Sequence, residues 1–464
     1  QEGQTEDALK CFESMRSQCI YWDAFTLSCI LRACTSIGDI KKGKQIHTEI
    51  VSNKLLWKDN GLRMVLIEMY AKWGMVSEAE KILRWLPLCD IDCWSHLITG
   101  YCLLGQSKEA LACFEEMENE GIHPNAAIFL SILTACGHIK AIEKGKQIHE
   151  EIVSKGLLGQ MTSLGNALVD MYVKCEMMIQ AARVFEELPI RDVVTWNILI
   201  GGYSQQLQVK EAMESLENMQ KEGIYPNEIT FLCILKAGGS LDVHKSESIH
   251  KYILNTKMLE KDVMLRSALV NMYAKCGMLG KAEEVLERFT ARTVASWNAL
   301  IAGYAQEGQN QEALKCLMQM QSEGIGPNEI TFVCLLDACS HSGKPGEAKM
   351  YFGDMGPKYH IMPSFEHHTC MVVIFGSAGD FDMALSVIKT MPSSHYPSVW
   401  VALLSACRKW GNLELGRLAF DQVVQIDDNL AEAYVFMANI YVAAGMLDDA
   451  EKVEAMIRMK KMEM

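Results

Sequence analysis

Twelve residues, "DVVTWNILIGGY" (Asp192–Tyr203), return about a hundred residues later as "TVASWNALIAGY" (Thr293–Tyr304). A weaker copy, "DIDCWSHLITGY" (Asp90–Tyr101), precedes both. In the first copy the apolar residues fall on one helical stripe, at i, i+3, i+4 and i+7: Trp196, Leu199, Ile200 and Tyr203. Repetition over such a period predicts a protein built from stacked helical units.

Each unit contains a second helix. In residues 193–227 a second apolar stripe is formed by Ala212, Leu216 and Met219, and Gly223 and Pro226 then end the helix. No stretch of the chain shows strand alternation or a βαβ pattern. Because a single helical pair cannot bury both of its stripes, the units must stack on one another, which predicts an all-α superhelix.

The composition is that of a folded chain with a large core. The 464 residues are 49% hydrophobic and 22% charged, which excludes a disordered chain. No apolar run reaches the roughly 18 residues of a membrane span. No targeting segment opens the sequence, and because it begins within a helical pattern we expect a trimmed N-terminus. The net charge of −14 removes long-range attraction for phosphates, so a nucleic-acid function would depend on local groups in a confined groove.

Residues with metal or redox chemistry form no recognised site. None of the 17 cysteines belongs to a CxxC motif, and several recur at equivalent helical places, which indicates buried filler in a reducing compartment. His47/Glu49 and His149/Glu151 match only the HxE part of a zinc deaminase signature, and the third copy has Tyr252 where the glutamate stood. The sequence therefore predicts no catalytic residue, no metal ligand and no cofactor.

Self-comparison separates three types of unit that follow one another in a fixed cycle. Units of 35 residues lie at 91–125, 193–227 and 294–328 and end in "GIHPN", "GIYPN" and "GIGPN". A second type lies at 24–59, 126–161 and 228–262, and a third type of 31 residues lies at 60–90, 162–192 and 263–293.

This cycle resembles the pentatricopeptide repeat (PPR) family of plant organellar RNA-binding proteins, and within it the PLS subfamily, which alternates P, L and S repeats. The resemblance covers essentially the whole chain and implies a right-handed α-solenoid of helix-turn-helix repeats. The three unit types correspond to P, L and S repeats, and residues 1–23 correspond to a partial P repeat. Residues 329–364 and 365–396 are similar to L2 and S2 repeats, and residues 397–430 and 431–464 to E1 and E2 motifs.

The resemblance implies sequence-specific binding of single-stranded RNA, one base per repeat, to select cytidines for C-to-U editing. In related factors a zinc-containing DYW cytidine deaminase domain commonly follows the E2 motif. None lies in these 464 residues, so we expect the chain to supply the address and a lost C-terminal domain or a partner in trans to supply the deaminase. The resemblance also implies a mitochondrion or a chloroplast, with the mitochondrion favoured, and multiple-site editing factors as candidate partners of the L repeats.

The family recognises a base mainly through the fifth and the last residue of a repeat, here called its recognition pair. A last aspartate only accepts hydrogen bonds and suits the ring N–H of uracil or guanine; a last asparagine also donates and suits cytosine or adenine. At the fifth place asparagine goes with pyrimidines, and serine or threonine with purines. From residue 60 onward the pairs thus predict uracil weakly, adenine, uracil, cytosine, a loose site and cytosine: Met64/Asp90, Ser95/Asn125, Asn166/Asp192, Asn197/Asn227, Ser267/Thr293 and Asn298/Asn328.

Weaker candidates extend this set. Thr369 in the S2-like repeat predicts a purine, although Tyr396 departs from the usual last residue, and the edited cytidine would lie a few nucleotides beyond. Val194 and Ala295, second in their repeats, are candidate wedges beside the bases, and Asp92 departs from that pattern. Three lysines at one place of the S repeats are either phosphate contacts or a solvated face: Lys72, Lys174 and Lys275.

Three alternatives stay open at this point. The asparagines and aspartates can be helix caps or turn residues and nothing more. A protein-binding solenoid of the tetratricopeptide type fits the acidic charge and the tetratricopeptide-like C-terminal motifs. Organellar RNA processing or stabilisation without editing is a third function, although pure P arrays usually perform it. The polar recognition pairs favour RNA, because peptide-binding repeats have no reason to keep them.

Overall fold

The computed structural model describes residues 2–18, 20, 22–53, 55–57, 59–84, 90–159, 161–289, 291–391 and 396–463. Within these ranges every regular element is helical, which confirms the predicted all-α fold. Parts of some predicted repeats lie outside the described residues, among them 85–89 of repeat 60–90 and 392–395 of repeat 365–396. Backbone contacts divide the chain into two compact units, residues 1–234 and 235–464.

The first unit consists of helical pairs joined by short turns, with one 3-10 turn at Leu55–Trp57, and the unit boundary falls within its last helix. Its helices are α1 (Glu2–Ser17), α2 (Ala24–Ile37), α3 (Ile40–Ser52), α4 (Asn60–Lys72), α5 (Val76–Arg84), α6 (Ile91–Leu103), α7 (Ser107–Asn119), α8 (Ala126–Ile139), α9 (Ile142–Ser154), α10 (Thr162–Lys174), α11 (Met178–Glu187), α12 (Val193–Gln205), α13 (Val209–Lys221) and α14 (Glu228–Lys236).

The second unit has the same construction and a 3-10 turn at Gly238–Ser240. Its helices are α15 (Val243–Asn255), α16 (Met258–Lys261), α17 (Val263–Lys275), α18 (Leu279–Arg288), α19 (Val294–Gln306), α20 (Asn310–Ser322), α21 (Glu329–His341), α22 (Pro345–Tyr359), α23 (Phe365–Ser377), α24 (Phe381–Thr390), α25 (Pro397–Trp410), α26 (Leu413–Ile426), α27 (Ala431–Ala443) and α28 (Leu447–Glu463).

The first helices of successive repeats pack side by side in each unit. In the first unit α2, α4, α6, α8, α10 and α12 form one such row, and in the second unit α17, α19, α21, α23, α25 and α27 form another. Each first helix also packs on the second helix of its own repeat. This is the stacking that a solenoid requires, since each row covers apolar stripes that a lone pair would expose.

The repeated stretch at 192–203 and 293–304 contributes buried side chains to this packing. Trp196 and Trp297 are 3% and 2% exposed, so the predicted apolar stripe faces inward. The glycine before the tyrosine permits close approach of the preceding repeat. A side chain at Gly303 would place its Cβ 2.7 Å from Leu279 Cδ2 and 2.9 Å from Ala274 Cβ. Small residues here therefore set the spacing between neighbouring repeats.

The histidines of the HxE fragments have a packing role. Each forms a hydrogen bond through Nδ1 with a tyrosine of the following repeat, at 2.8, 3.0 and 2.9 Å: His47 with Tyr70, His149 with Tyr172, and His250 with Tyr273. Burial lowers the pKa of all three imidazoles, so they are neutral at pH 7.

None of the helices in the described ranges combines the length and apolar character that crossing a bilayer requires.

Candidate nucleic-acid interface

In several predicted repeats the last residue caps the first helix of the next repeat. Asn125 Oδ1 accepts from the backbone N–H of Ile128 at 3.0 Å, and Asp192 Oδ1 accepts from that of Thr195 at 2.8 Å. These two side chains are therefore helix caps, and a cap occupies only one of the two polar atoms at the end of the side chain. What the second atom presents depends on the residues around it.

In the repeat 193–227 the recognition pair is joined by a threonine of the next repeat. Asn197 Nδ2 donates to Asn227 Oδ1 at 3.1 Å. The Thr230 hydroxyl donates to Asn197 Oδ1 at 2.6 Å, and its oxygen accepts from the Asn227 backbone N–H at 3.1 Å. Asn227 Oδ1 also accepts from the Thr230 backbone N–H at 3.0 Å. Three side chains thus form one closed network.

The same network occurs in the second unit, at the repeat 294–328. Asn298 Nδ2 donates to Asn328 Oδ1 at 3.0 Å, and the Thr331 hydroxyl donates to Asn298 Oδ1 at 2.6 Å. The Thr331 backbone N–H donates to Asn328 Oδ1 at 3.1 Å. Because the distances match in the two copies, the network is a recurring feature of this type of repeat.

The repeat 162–192 has an aspartate in the last place. Asn166 Nδ2 lies 3.4 Å from Asp192 Oδ1, and the Thr195 hydroxyl donates to Asn166 Oδ1 at 2.7 Å. Desolvation raises the pKa of Asp192, but hydrogen bonds from Thr195 and Asn166 outweigh it and leave this pKa below its ordinary value. Asp192 is therefore an ionised, acceptor-only group at neutral pH.

These networks fix which atom faces outward. A backbone N–H can only donate, so the cap must use the oxygen of Asn227 and turns its Nδ2 amide away from the helix. At Asp192 the same cap uses Oδ1, and the second oxygen, Oδ2, takes no part in the cap. The two arrangements thus present a donor in one repeat and an acceptor in the other. The capping threonines Thr195, Thr230 and Thr331 were not among the predicted site residues, although each is third in its repeat.

The other recognition pairs are built differently. Ser267 Oγ and Thr293 Oγ1 are 3.0 Å apart, and Ser267 also donates to the Val263 carbonyl. Asp90 makes no side-chain cap, and its Oδ2 lies 3.4 Å from Asn60 Nδ2. Neither Met64 nor Ser95 is fully buried. The residue third in the repeat that follows these pairs is Cys93, Ile128 or Ser296 and not a threonine, so the network described above does not form.

The S2-like repeat has no polar pair. The Thr369 hydroxyl donates to the Phe365 carbonyl of its own helix at 2.9 Å. The Tyr396 ring stacks on the Phe365 ring, with centroids 4.7 Å apart and planes within 12°. The departure seen in the sequence thus corresponds to an aromatic stack at the place where other repeats carry Asp or Asn.

An exposed apolar residue recurs at the second place of the repeats. Val194 is 53% exposed, and Ala295 is also exposed, while the charged Asp92 takes this place in its repeat. Four residues not predicted belong to the same place and are 76%, 56%, 67% and 59% exposed: Phe25, Ile229, Met264 and Ile330. Their common register was visible in the sequence once the repeat boundaries were drawn.

The three candidate lysines lie in the last turn of the helices α4, α10 and α17. Lys72 Nζ pairs with Glu68 at 2.7 Å, and Lys174 Nζ pairs with Asp170 at 2.7 Å. Within the described residues Lys275 has no carboxylate partner of this kind. Lys275 is therefore the lysine whose charge is most available to a phosphate.

Comparison with known proteins links this architecture to one family. A model described as "PPR repeat family" matches residues 90–138, 191–237 and 292–356, and a model described as "PPR repeat" matches residues 64–84, 166–193, 266–292 and 366–396. An Arabidopsis thaliana protein named as a mitochondrial pentatricopeptide repeat-containing protein is 33% identical over 95% of this chain and 79% of its own length. A chloroplastic one from the same plant is 33% identical over 98% of this chain, which spans 52% of that relative.

Solved structures show the same fold. The crystal structure of the pentatricopeptide repeat protein PPR10 from maize superposes with a TM-score of 0.58 at 18% identity, covering 99% of this chain and 72% of that chain. The same maize protein in complex with an 18-nt psaJ RNA element superposes with a TM-score of 0.50 at 17% identity, covering 98% and 72%.

Proposed function

This chain belongs to the pentatricopeptide repeat family, and from that membership we propose that it binds single-stranded RNA sequence-specifically, one base per repeat. The observation that carries the proposal is the pair of matching networks at Asn197/Asn227 and Asn298/Asn328, each of which turns one amide group outward. The maize relative of the same fold, crystallised with an 18-nt RNA element, supports RNA as the ligand class.

The outward atoms suit particular bases. Asn227 presents N–H, which complements the ring N3 acceptor of cytosine and opposes the N3–H donor of uracil. Asn197 has a second N–H on Nδ2, which complements the O2 acceptor that both pyrimidines share. Asp192 presents an oxygen and therefore complements the N3–H of uracil. The array from residue 60 to residue 396 accordingly favours 5′-UANUCNNCNR, with N at the loose and L-type repeats and R for a purine.

The exposed apolar residues in the second place fit the same ligand. Val194, Ile229 and Ile330 would lie beside the faces of splayed bases, which shields the base–amide hydrogen bonds from water. Apolar and polar contacts to bases also explain how a chain of charge −14 binds RNA without a broad basic surface. Lys275 would add a local phosphate contact.

We further propose that the bound RNA is an organellar transcript and that binding specifies a cytidine for C-to-U editing. The P, L and S cycle, followed by motifs similar to L2, S2, E1 and E2 from 329 to 464, is typical of editing factors. The repeat ranges given above belong to this proposal, as do a deaminase in trans and multiple-site editing factors as partners. The relatives named mitochondrial and chloroplastic support an organelle and leave both open.

Fluorescence anisotropy tests the binding proposal. The purified chain is titrated into labelled 5′-UANUCNNCNR and into a scrambled RNA of equal composition at one salt concentration. We expect tighter binding of the designed RNA by at least about tenfold, since each mismatched base costs about 1–3 kcal/mol. Equal affinity for the two RNAs would reject base recognition and would favour the alternative function, a protein-binding scaffold.

Sequencing of organellar transcripts tests the editing proposal. A plant lacking the gene should retain an unedited cytidine at one or a few sites downstream of a sequence matching 5′-UANUCNNCNR. Unchanged editing at every site, together with altered transcript ends or abundance, would instead indicate RNA processing or stabilisation.

A further inference from the structure

We propose that Thr230 and Thr331, each third in the repeat that follows a recognition pair, are positioning residues that determine discrimination between cytosine and adenine. The inference rests on the proposed function, because it concerns how the same pairs distinguish bases. It assigns a role to a residue outside the fifth and last places. Each hydroxyl acts through the fifth-place asparagine and does not itself face the RNA.

The geometry of the hydroxyl allows one orientation of that asparagine. Thr230 is 0% exposed and Asn197 is 8% exposed, so neither side chain can exchange its partner for bulk water. The Thr230 oxygen already accepts from the Asn227 backbone N–H at 3.1 Å. Of the two acceptors that its single hydrogen can reach, Asn197 Oδ1 at 2.6 Å is nearer than Asn227 Oδ1 at 3.0 Å. Asn197 must therefore direct its oxygen inward and its Nδ2 toward Asn227 and the RNA side.

The second copy follows the same logic. Thr331 is 0% exposed and Asn298 is 6% exposed, and the corresponding hydroxyl contact is 2.6 Å. In both copies the orientation of the last asparagine is set separately, because the backbone N–H of the threonine holds its Oδ1. The hydroxyl of one residue thus holds the fifth residue, and its backbone N–H holds the last residue, while a hydrogen bond between the two asparagines links them.

In this arrangement the last and the fifth asparagine distinguish different pairs of bases. The last asparagine distinguishes cytosine from uracil at ring position N3. The fifth asparagine, held with its N–H outward, finds the O2 acceptor of a pyrimidine. Adenine offers a C2–H at the corresponding place and leaves that N–H unpaired, which costs binding energy. If the hydroxyl is lost, only the hydrogen bond to the last asparagine still orients the fifth amide. The amide can then rotate more readily, and its oxygen tolerates adenine and disfavours cytosine.

Where the third residue lacks a reaching hydroxyl, the control should be weaker. Ile128 follows the Ser95/Asn125 pair and has no hydroxyl, so only its backbone N–H contributes, at 3.0 Å. Ser296 follows the Ser267/Thr293 pair and donates to the Thr293 carbonyl at 2.8 Å, within its own cap. Ser296 is therefore a matched residue whose hydroxyl does not hold an asparagine.

The test is a double variant, Thr230→Val/Thr331→Val, which replaces each hydroxyl by a methyl group of similar size. Dissociation constants are measured for three RNAs that carry cytosine, adenine or uracil at both cognate positions. We expect the preference for cytosine over adenine to fall by about tenfold to a hundredfold. Each of the two lost hydrogen bonds contributes a factor of about three to ten, and the two factors multiply. The preference for cytosine over uracil should stay within about twofold, because the backbone N–H donors remain.

Two further variants complete the design. Thr230→Ser/Thr331→Ser keeps the hydroxyl and should retain most of the preference for cytosine over adenine, and Ser296→Ala should leave all three ratios unchanged. If the valine variant loses affinity for the three RNAs equally, the threonines are only helix caps and the inference is overturned. Unchanged ratios in that variant would also overturn it while leaving RNA recognition intact. A wild-type protein without preference among the three RNAs would instead overturn the proposed function, and this inference with it.

Discussion

Exchanging Asn227 and Asn328 for aspartate should convert two cytosine-selective repeats into uracil-selective ones. The cap survives the exchange, because Asp192 shows that an aspartate oxygen accepts the same backbone N–H, at 2.8 Å against 3.0 Å for Asn227. Aspartate and asparagine are also equivalent N-caps, so the free energy of unfolding should change by less than about 0.5 kcal/mol. The atom that changes is the outward one, from an N–H donor to an oxygen acceptor.

The magnitude follows from that single atom in each repeat. A base-edge contact that is matched instead of mismatched discriminates by about 1–3 kcal/mol. The two repeats do not share a network, so their contributions should add. The difference in binding free energy between a uracil RNA and a cytosine RNA should therefore change by about 2–6 kcal/mol. The corresponding Kd ratio changes by at least about thirtyfold in favour of uracil.

The assay compares the wild type and Asn227→Asp/Asn328→Asp on RNAs that differ only at the two cognate bases. The matched control is Asn218→Asp/Gln319→Glu, which adds the same two negative charges on exposed faces of α13 and α20. Electrostatic repulsion alone would weaken both RNAs equally in both variants. If the Asn227→Asp/Asn328→Asp protein keeps the wild-type preference for cytosine, the recognition pair is not the site of base selection.

Other consequences concern stability, pH and ionic strength. Gly303→Val should lower the free energy of unfolding by roughly 1–3 kcal/mol in thermal or denaturant unfolding, because its Cβ would lie 2.7 Å from Leu279 Cδ2, while the same change at the open Gly353 should not clash. Burial lowers the pKa of His367 below 6.5, so the unfolded chain binds the proton more readily; melting temperature should therefore fall as pH drops from about 6.5 toward 5, and a flat profile would contradict this. Lys275→Ala should weaken binding similarly for matched and scrambled RNA and reduce the salt slope by about one, whereas a selective loss for the matched RNA would exclude a phosphate contact.

The fold was predictable because periodicity and packing agree. The stripe of Trp196, Leu199 and Ile200 in the sequence is the buried face in the structure. The repeated glycine was visible too, but its reason was not, since the side chains that approach Gly303 come from the preceding repeat. Helical spacing identifies which residues face inward, but it does not identify which residue of a neighbouring repeat meets them.

The candidate site was predictable only in part for the same reason. Sequence placed Asn197 and Asn227 thirty residues apart without showing that a 3.1 Å hydrogen bond joins them. It offered capping and base recognition as alternatives, although one side chain has atoms for both. The role of Thr230 depends on contact between repeats and left a weak signal, a hydroxyl residue third in the next repeat. At Thr369 the expected polar partner is replaced by the stacked Tyr396 ring.

Selection from a randomised RNA pool tests the central claim most directly. The chain is incubated with single-stranded RNAs carrying a randomised window of about ten nucleotides, and the bound fraction is sequenced. We predict enrichment of uracil at the position of Asn166/Asp192 and of cytosine at those of Asn197/Asn227 and Asn298/Asn328, with the spacing of 5′-UANUCNNCNR. A bound pool with the base frequencies of the input, or an enriched motif without that spacing, would contradict it.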